Sequence, residues 1–233
     1  MGRFHDRQFP GESAAYRKAR DELLDAEIAL RKRIEDVAVL RRGLPPGGEL
    51  KEDYVFDEGA ADLSDQQTVK PVRFSELFEK GKDSLIIYSF MYGPDWNNPC
   101  PMCVSLLDSL NGNAPHVQQR VNLAVVARAP IQIVRSWASQ RGWKNLRLLS
   151  SRNNTYNTDY FAENAEDDQI PPINVFRKTN GGIYHFYNSE LLYVPTEKGQ
   201  HMRHADLIWP LWSLFDLTPD GRGTDWLPGL SYE

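Results

Sequence analysis

The chain has 233 residues, of which 41% are apolar and 25% charged, and its formal net charge at neutral pH is -5. This composition is typical of a folded domain with a full hydrophobic core, so it excludes wholesale disorder and removes any need for structural disulfides. The acidic charge disfavours nucleic acid as a partner, and no apolar run approaches the roughly 20 residues that a transmembrane helix requires.

The N-terminus and the cysteines set the expected compartment. The first residues contain no apolar signal-peptide core, so we expect a cytoplasmic protein without a membrane partner. Cys100 and Cys103 are the only cysteines. In a reducing compartment a closely spaced pair is more often redox-active or metal-bound than structural. These two residues are therefore the first candidates for a functional site.

The first predicted element is a long amphipathic helix over residues 13–42, where apolar residues recur at helical spacing among many charges. A proline and glycine run at 45–48 ends this helix. We therefore expect a helical arm at residues 1–50, a main domain at 51–218 and a C-terminal tail at 219–233. Such an arm packs either on its own domain or on a second subunit, so a homodimer is one of two arrangements.

Strands and helices alternate through the main domain. Strands are predicted at residues 53–56, 85–90, 121–126 and 146–149, and helices at 74–79, from Cys103 to Asn111-Gly112, at Ile131–Arg141 and at 205–215. The polar segment 153–168 is predicted to be a long loop with a short helix, and residues 173–178 and 182–187 an antiparallel hairpin. This order predicts an α/β fold whose sheet contains parallel strands joined by crossover helices.

The Cys-Pro-Met-Cys motif at residues 100–103 lies between the most apolar predicted strand and the start of a helix. A thiol at a helix N-terminus sees unpaired backbone N–H groups and the positive end of the helix dipole, which stabilise the thiolate. Cys100 is therefore the predicted nucleophile. Pro101 suits the first helical turn, and Cys103, within disulfide reach one turn later, is the predicted resolving thiol.

Four further residues are candidates for substrate binding. Pro171 precedes a predicted strand and resembles the cis-proline that faces the dithiol in the thioredoxin fold; a trans bond that starts the strand is the competing interpretation. Arg128 follows a strand at the carboxyl end of the sheet, where it supports a thiolate, binds an acidic substrate or pairs with a surface carboxylate. Trp96 and Tyr92 form either an apolar lip for substrate or plugs in the core.

Several segments together identify a resemblance that runs over most of the chain. They are residues 41–45 (Arg-Arg-Gly-Leu-Pro), 53–56 (Asp-Tyr-Val-Phe), 90–93 (Phe-Met-Tyr-Gly), the dithiol motif with Asp108, 128–130 (Arg-Ala-Pro), 142–143 (Gly-Trp) and 216–219 (Asp-Leu-Thr-Pro). In these segments the chain resembles the thioredoxin-like family catalogued as domain of unknown function 899. The resemblance implies a thiol-disulfide oxidoreductase with no established substrate. It also implies an α/β fold of the thioredoxin-like type, with a central mixed sheet flanked by helices and an N-terminal helical arm. Pro99 stands where ordinary thioredoxins have tryptophan, so thioredoxin's substrate specificity does not transfer.

Zinc binding is one alternative role for the cysteines. Cys100, Cys103 and His116 match the first three ligands of a two-cysteine, two-histidine finger, but no histidine occupies the fourth position. His201 or His204 would have to complete the site from a distant part of the chain. We therefore expect no metal.

The predicted function is disulfide exchange with a disulfide-bearing protein or a small thiol substrate, with an unidentified electron donor and no cofactor. A thioredoxin-fold peroxidase is an alternative that forms a sulfenic acid on one cysteine, although the threonine-containing loop that usually precedes a peroxidatic cysteine is absent. A non-catalytic redox-sensing or binding module is another alternative.

Overall fold

A computed structural model of the chain describes residues 3–164, 166, 168–201 and 207–231. The chain divides into two compact units, Met1–Pro45 and Pro46–Glu233. Among the helices of the described ranges, none combines the length and the apolar character needed to cross a bilayer.

The first unit contains α1 (Ala14–Arg42), which confirms the predicted N-terminal helix. The hydroxyl of Ser13 accepts a hydrogen bond from the backbone N–H of Tyr16, so the helix begins at a side-chain cap. Arg41 and Arg42 lie in its last turn, where positive charge interacts favourably with the helix dipole.

The second unit is built on a seven-stranded sheet. Its strands are β1 (Val55–Gly59), β2 (Val69–Arg73), β3 (Ser84–Phe90), β4 (Asn122–Ala127), β5 (Leu148–Ser150), β6 (Ile173–Thr179) and β7 (Gly182–Asn188). Its helices are α2 (Pro101–Val117), α3 (Ile131–Arg141), α4 (Tyr156–Asp159) and α5 (Leu211–Phe215), with short 3-10 helices at Phe74–Leu77 and Glu190–Tyr193.

The strand order across the sheet is β2-β1-β5-β4-β3-β6-β7. The central strands β3, β4 and β5 are parallel and are joined by α2 and α3, whereas β6 and β7 form an antiparallel hairpin beside β3. A βαβ unit followed by a β-hairpin on the other side of its first strand is the thioredoxin-like arrangement. The predicted fold class is confirmed.

The sheet separates two hydrophobic cores because successive residues of a strand point to opposite faces. In β3, Tyr88 and Phe90 belong to one core, and Leu85 and Ile87 belong to the other. The first core contains both cysteines, so the dithiol helix packs on this face. The second core is rich in aromatic rings, namely those of Tyr54, Phe56, Phe74, Tyr156 and Phe176.

The edge strand β2 is absent from the sequence prediction. It contains two basic residues and Pro71, and only Val72 is buried. Pro71 lies opposite Asp57 of β1. Proline is tolerated in an edge strand, where one side of the backbone has no partner strand, and charged residues there discourage pairing with another chain. The same features leave β2 without alternating apolar residues, so the sequence pattern does not predict a strand there.

The predicted end of the dithiol helix at Asn111-Gly112 is wrong, because α2 continues to Val117. The side-chain oxygen of Asn111 accepts the backbone N–H of Asn145 at 3.0 Å, and its carbonyl accepts Nδ2 of Asn145 at 3.1 Å. That carbonyl is available because Pro115, four residues later, has no N–H to donate to it. Asn111 therefore joins α2 to the chain after α3 and does not form a turn.

The C-terminal part of the chain packs on the core that contains the cysteines. The helix predicted at residues 205–215 is shorter, since α5 has five residues and residues 202–206 lie outside the described ranges. Trp212 of α5 is buried in this core. Within the predicted tail, 219–233, Leu230 packs against the same core. The tail therefore contributes to the second unit.

A polar cluster of two buried asparagines and the partly buried His185 lies on the β6–β7 hairpin. The side-chain oxygen of Asn174 accepts a hydrogen bond from Nδ2 of Asn188 at 2.9 Å, and Nε2 of His185 lies 3.0 Å from the same oxygen. Because an amide oxygen only accepts, this network assigns a proton to Nε2 of His185. The imidazole stacks on Tyr160 and meets Phe176 edge-on. It is thus held between two aromatic rings.

This environment predicts a pH-dependent stability. Burial lowers the pKa of His185 from its ordinary value of 6.5, with a smaller opposing effect from Glu190. The unfolded chain then takes up this proton at a higher pH than the folded chain does. The stability that neutral His185 contributes is complete above about pH 6.5 and is lost as the pH falls through its lowered folded pKa.

Urea unfolding at several pH values between about 7.5 and 5 measures this effect. We expect the free energy of unfolding to fall less steeply with decreasing pH in His185→Gln than in the native chain, because glutamine does not titrate. Coincident slopes in the two proteins would contradict the lowered pKa.

Candidate functional site

The dithiol lies at the N-terminus of α2, as the sequence predicts. Cys100 is the residue that caps the helix, and Pro101 is its first residue. The backbone N–H of Cys100 donates to the carbonyl of Met91 at 3.0 Å, and the N–H of Val104 donates to the carbonyl of Cys100 at 3.1 Å. The backbone of Cys100 is therefore held by the incoming loop and by the first helical turn.

The two cysteines differ in exposure. Cys100 is 9% exposed and Cys103 is fully buried. The exposure of the two residues therefore favours Cys100 over Cys103 as the first cysteine to meet a substrate from solvent. This difference supports the roles predicted for the two thiols, with Cys100 attacking and Cys103 resolving.

Asp108 anchors the dithiol helix to the neighbouring helix α3. Its carboxylate forms an ion pair with Arg141 at the end of α3 and accepts a hydrogen bond from Nε1 of Trp143 at 2.7 Å. The indole of Trp143 in turn meets the ring of Phe90, the last residue of β3, with centroids 5.7 Å apart. These contacts fix α2 against the sheet, so Asp108 has a structural role.

The loop before the dithiol and the end of β4 line one small cleft of about 170 Å³. Its lining includes two predicted substrate-binding residues, Trp96 and Arg128, together with Glu163 and Gln169. Trp96 is 37% exposed. Its indole lies against Gly93, where an added Cβ would approach Nε1 of Trp96 to 2.7 Å. The cleft therefore offers an indole and a guanidinium beside the loop that leads to Cys100.

Arg128 is held by groups of the protein itself. Its Nε lies 2.8 Å from the carboxylate of Glu163, and its Nη1 donates to the carbonyls of Ser151 and Arg152 at 3.1 and 2.9 Å. The Glu163 side chain is 5% exposed and that of Arg128 is 24% exposed. Among the interpretations of Arg128, pairing with a carboxylate is the one the structure displays, although this carboxylate is buried. Sequence reasoning did not identify Glu163, because it lies in a polar loop without a motif.

We expect Glu163→Gln to lower the free energy of unfolding by about 2–3 kcal/mol, because it removes the countercharge of a largely buried guanidinium. Chemical denaturation measures the loss. Glu166→Gln is the matched control, because Glu166 is an exposed residue of the same loop and such changes stay within about 0.5 kcal/mol. Equal effects in the two variants would contradict a structural role for the Arg128–Glu163 pair.

Tyr92 lies in the core rather than at a substrate lip. It is 2% exposed, and its phenol oxygen accepts a hydrogen bond from Nε1 of Trp137 at 3.0 Å. Burial raises the pKa of the Tyr92 phenol. Its backbone carbonyl accepts the N–H of Ala129 at 2.8 Å and so ties the loop to the end of β4. Of the two interpretations of Tyr92, the structure matches the core plug.

Pro171 is buried two residues before the start of β6. The described residues contain no cis peptide bond, so of the two alternatives at Pro171 the structure has the trans form. The next residue, Pro172, accepts the backbone N–H of Ser89 in β3 at 3.0 Å. This contact places the proline pair beside the end of β3, the strand that leads into the dithiol loop.

The structure separates the residues of the zinc alternative. Cys103 and His116 lie 13 positions apart on one continuous helix, which corresponds to about 20 Å along its axis. They therefore cannot bind one ion. In the part of the chain that the structure describes, no group of three or more potential ligands is suited to a metal ion; His204 lies outside that part.

Solved structures with similar architecture are distant in sequence. The chain is similar to AhpC from Enterococcus faecalis, with 14% identity, a TM-score of 0.43 and coverage of 62% of this chain and 81% of that one. It is also similar to thioredoxin peroxidase I from Plasmodium yoelii, with 15% identity, a TM-score of 0.46 and coverage of 79% and 100%. An uncharacterized conserved protein from Geobacillus kaustophilus has 12% identity, a TM-score of 0.44 and coverage of 67% and 73%.

Comparison with curated protein sequences finds no match. A family model, in contrast, matches residues 6–232, nearly the whole chain. This match includes the arm, the dithiol and the C-terminal segment, as the resemblance in the sequence implies. The chain belongs to the family described as bacterial protein of unknown function (DUF899).

Proposed function

We propose that this protein is a thiol-disulfide oxidoreductase in which Cys100 attacks a substrate disulfide and Cys103 resolves the product. One observation carries the proposal: a slightly exposed cysteine caps the dithiol helix, and a fully buried cysteine lies one turn behind it. This arrangement gives a substrate access to one thiol and reserves the other for the intramolecular step.

The reaction has two steps. The Cys100 thiolate attacks one sulfur of the substrate disulfide, forms a mixed disulfide and releases the other half as a thiolate. The sulfur of Cys103 then attacks the Cys100 sulfur, forms the Cys100–Cys103 disulfide and releases the second half. The Cys103 proton passes to a released thiolate. Two electrons therefore move from the protein to the substrate, and a separate thiol donor must reduce the protein again.

The start of α2 supports the first step. The first backbone N–H groups of a helix have no intrahelical acceptors, and together with the helix dipole they favour negative charge at the cap. Cys100 occupies this position with its backbone fixed by Met91 and Val104. The thiolate thus forms on a rigid element, which keeps the sulfur in a constant position during attack.

The cleft beside the dithiol loop is the proposed place for substrate. The Trp96 indole gives an apolar surface, and Pro171 precedes the strand that pairs with β3. Arg128 contributes through its pair with Glu163, which shapes the cleft. We propose that the substrate is a disulfide-bearing protein or a small disulfide such as oxidised glutathione. We also propose that the reaction takes place in the cytoplasm.

A stoichiometric reaction tests this function. Fully reduced protein is mixed with excess oxidised glutathione, and both released glutathione and remaining protein thiols are counted. We expect two glutathione molecules to be released for each protein molecule that loses both thiols. Loss of one thiol with a permanently bound glutathione would contradict resolution by Cys103, and rapid reaction with hydrogen peroxide but none with the disulfide would favour a peroxidase.

A further inference from the structure

A second cavity lies away from the dithiol, on the β6–β7 side of the second unit. Its volume is about 770 Å³, which is in the range of sites that bind small organic molecules. The hairpin, the segment after α4 and the 3-10 helix Glu190–Tyr193 form its walls. Neither cysteine is among its described lining residues, so the proposed disulfide chemistry does not account for this cavity.

An exposed aromatic pair lies on the wall of this cavity. Phe161 has a φ of 56°, a left-handed conformation that residues with a side chain rarely adopt, and it is 65% exposed. The ring of Tyr193 meets that of Phe161 with centroids 6.4 Å apart. The Tyr193 hydroxyl donates to the Phe161 carbonyl at 3.1 Å and so supports this conformation. The fold thus maintains a strained backbone that presents an aromatic surface to the cavity.

The lining of the cavity has an excess of negative charge. Of its carboxylates, those of Asp159 and Glu163 form ion pairs with Lys51 and Arg128. Two further lining carboxylates, Glu49 and Glu190, form no ion pair with any residue in the described ranges. No lysine or arginine is among the described lining residues. The cavity therefore favours a positively charged occupant.

The interior of the cavity adds no compensating positive charge. His185 lines it, and burial lowers the pKa of this imidazole, so it is neutral at neutral pH. Asn174 and Asn188 also line it and are uncharged. The cavity thus combines aromatic rings, neutral polar groups and two carboxylates that lack a protein cation.

We propose that this cavity binds a small organic cation with an aromatic or other apolar body. Its ammonium group would interact with Glu190 and with the faces of Phe161 and Tyr193, since an aromatic face attracts a cation. Its apolar body would replace water against the remaining aromatic wall. Binding of this kind is separate from the disulfide exchange proposed above and does not depend on it.

Three probes with one aromatic body but different charge test the proposal: 2-phenylethylammonium, 2-phenylethanol and phenylacetate. Each is titrated into the full-length protein by NMR, with shift changes mapped onto the sequence. We expect the ammonium to bind most tightly, with the largest changes at Phe161, Tyr193 and their neighbours. Equal affinity for the three probes, preference for the anion, or absence of saturable binding would overturn the proposal.

Variants separate the charge from the fold. We expect Glu190→Gln to weaken ammonium binding about 2- to 5-fold, because an exposed charge pair contributes up to roughly a fivefold change in affinity. Glu35→Gln in α1 is the control and is expected to bind as the native chain does. Cys100→Ser is also expected to bind normally, which distinguishes this site from the dithiol. Unchanged binding in Glu190→Gln would overturn the proposal.

Discussion

Replacement of Cys100 by serine is expected to abolish disulfide exchange. The rate should fall by at least about three orders of magnitude, because a serine hydroxyl is hardly ionised at neutral pH and forms no disulfide. The measurement is the release of glutathione from oxidised glutathione by pre-reduced protein. Exchange that survives in Cys100→Ser would show that Cys100 is not the nucleophile.

Cys103→Ser is expected to react with the substrate disulfide but to stop at the mixed disulfide. Cys100 still attacks, but the mixed disulfide has no resolving thiol and accumulates. Intact mass after brief incubation with oxidised glutathione should show one glutathione adduct on Cys103→Ser. Met102→Leu is the control for altering the motif while keeping both thiols, and we expect it to exchange as the native chain does. An adduct that forms equally on Cys100→Ser would contradict these roles.

Among the variants considered, replacement of Trp143 by alanine is expected to lower the free energy of unfolding most. Trp143 is 1% exposed, packs on Phe90 and donates to Asp108 of the dithiol helix. Removing such a buried indole costs about 3–5 kcal/mol, because apolar burial is lost and a cavity remains. Unfolding in urea, followed by circular dichroism, gives the change in free energy.

Trp143→Phe separates packing from the hydrogen bond. Phenylalanine keeps most of the apolar contact but cannot donate to Asp108, so we expect a smaller loss of about 1–2 kcal/mol. Asp108 retains its ion pair with Arg141 in this variant. Equal losses in the alanine and phenylalanine variants would show that packing on Phe90 contributes little.

The central part of the fold follows from local patterns in the sequence. The predicted helix Ile131–Arg141 matches α3 at both ends, because Pro130 precedes it and Gly142 takes the left-handed conformation that ends a helix. The strands around the dithiol also lie within one or two residues of their predicted bounds. Strong apolar strands and clear helix caps make this region predictable.

The sequence predictions are wrong where long-range contacts override local signals. Asn111-Gly112 is a typical turn sequence, yet α2 passes through it because Asn111 bonds to Asn145 in a distant loop. No pattern within α2 reports that partner. The same limit applies to the site: the dithiol can be identified from its motif, but the buried pairing of Arg128 with Glu163 joins residues 35 positions apart.

The core location of Tyr92 illustrates a related limit. The sequence places it in a loop, where an aromatic residue contacts either substrate or the interior. Its burial and its bond to Trp137 depend on the packing of α3 against that loop. Only the tertiary structure distinguishes the two cases.

The most direct test of the central claim is the redox equilibrium of the native protein. Purified protein is equilibrated with glutathione buffers of increasing oxidising strength, and alkylation with intact mass reports the thiol state of Cys100 and Cys103. We predict one reversible two-electron transition between the dithiol and an intramolecular disulfide, whose midpoint distinguishes a reductant from an oxidant. Thiols that never pair, or that only carry separate glutathione adducts, would contradict the oxidoreductase assignment.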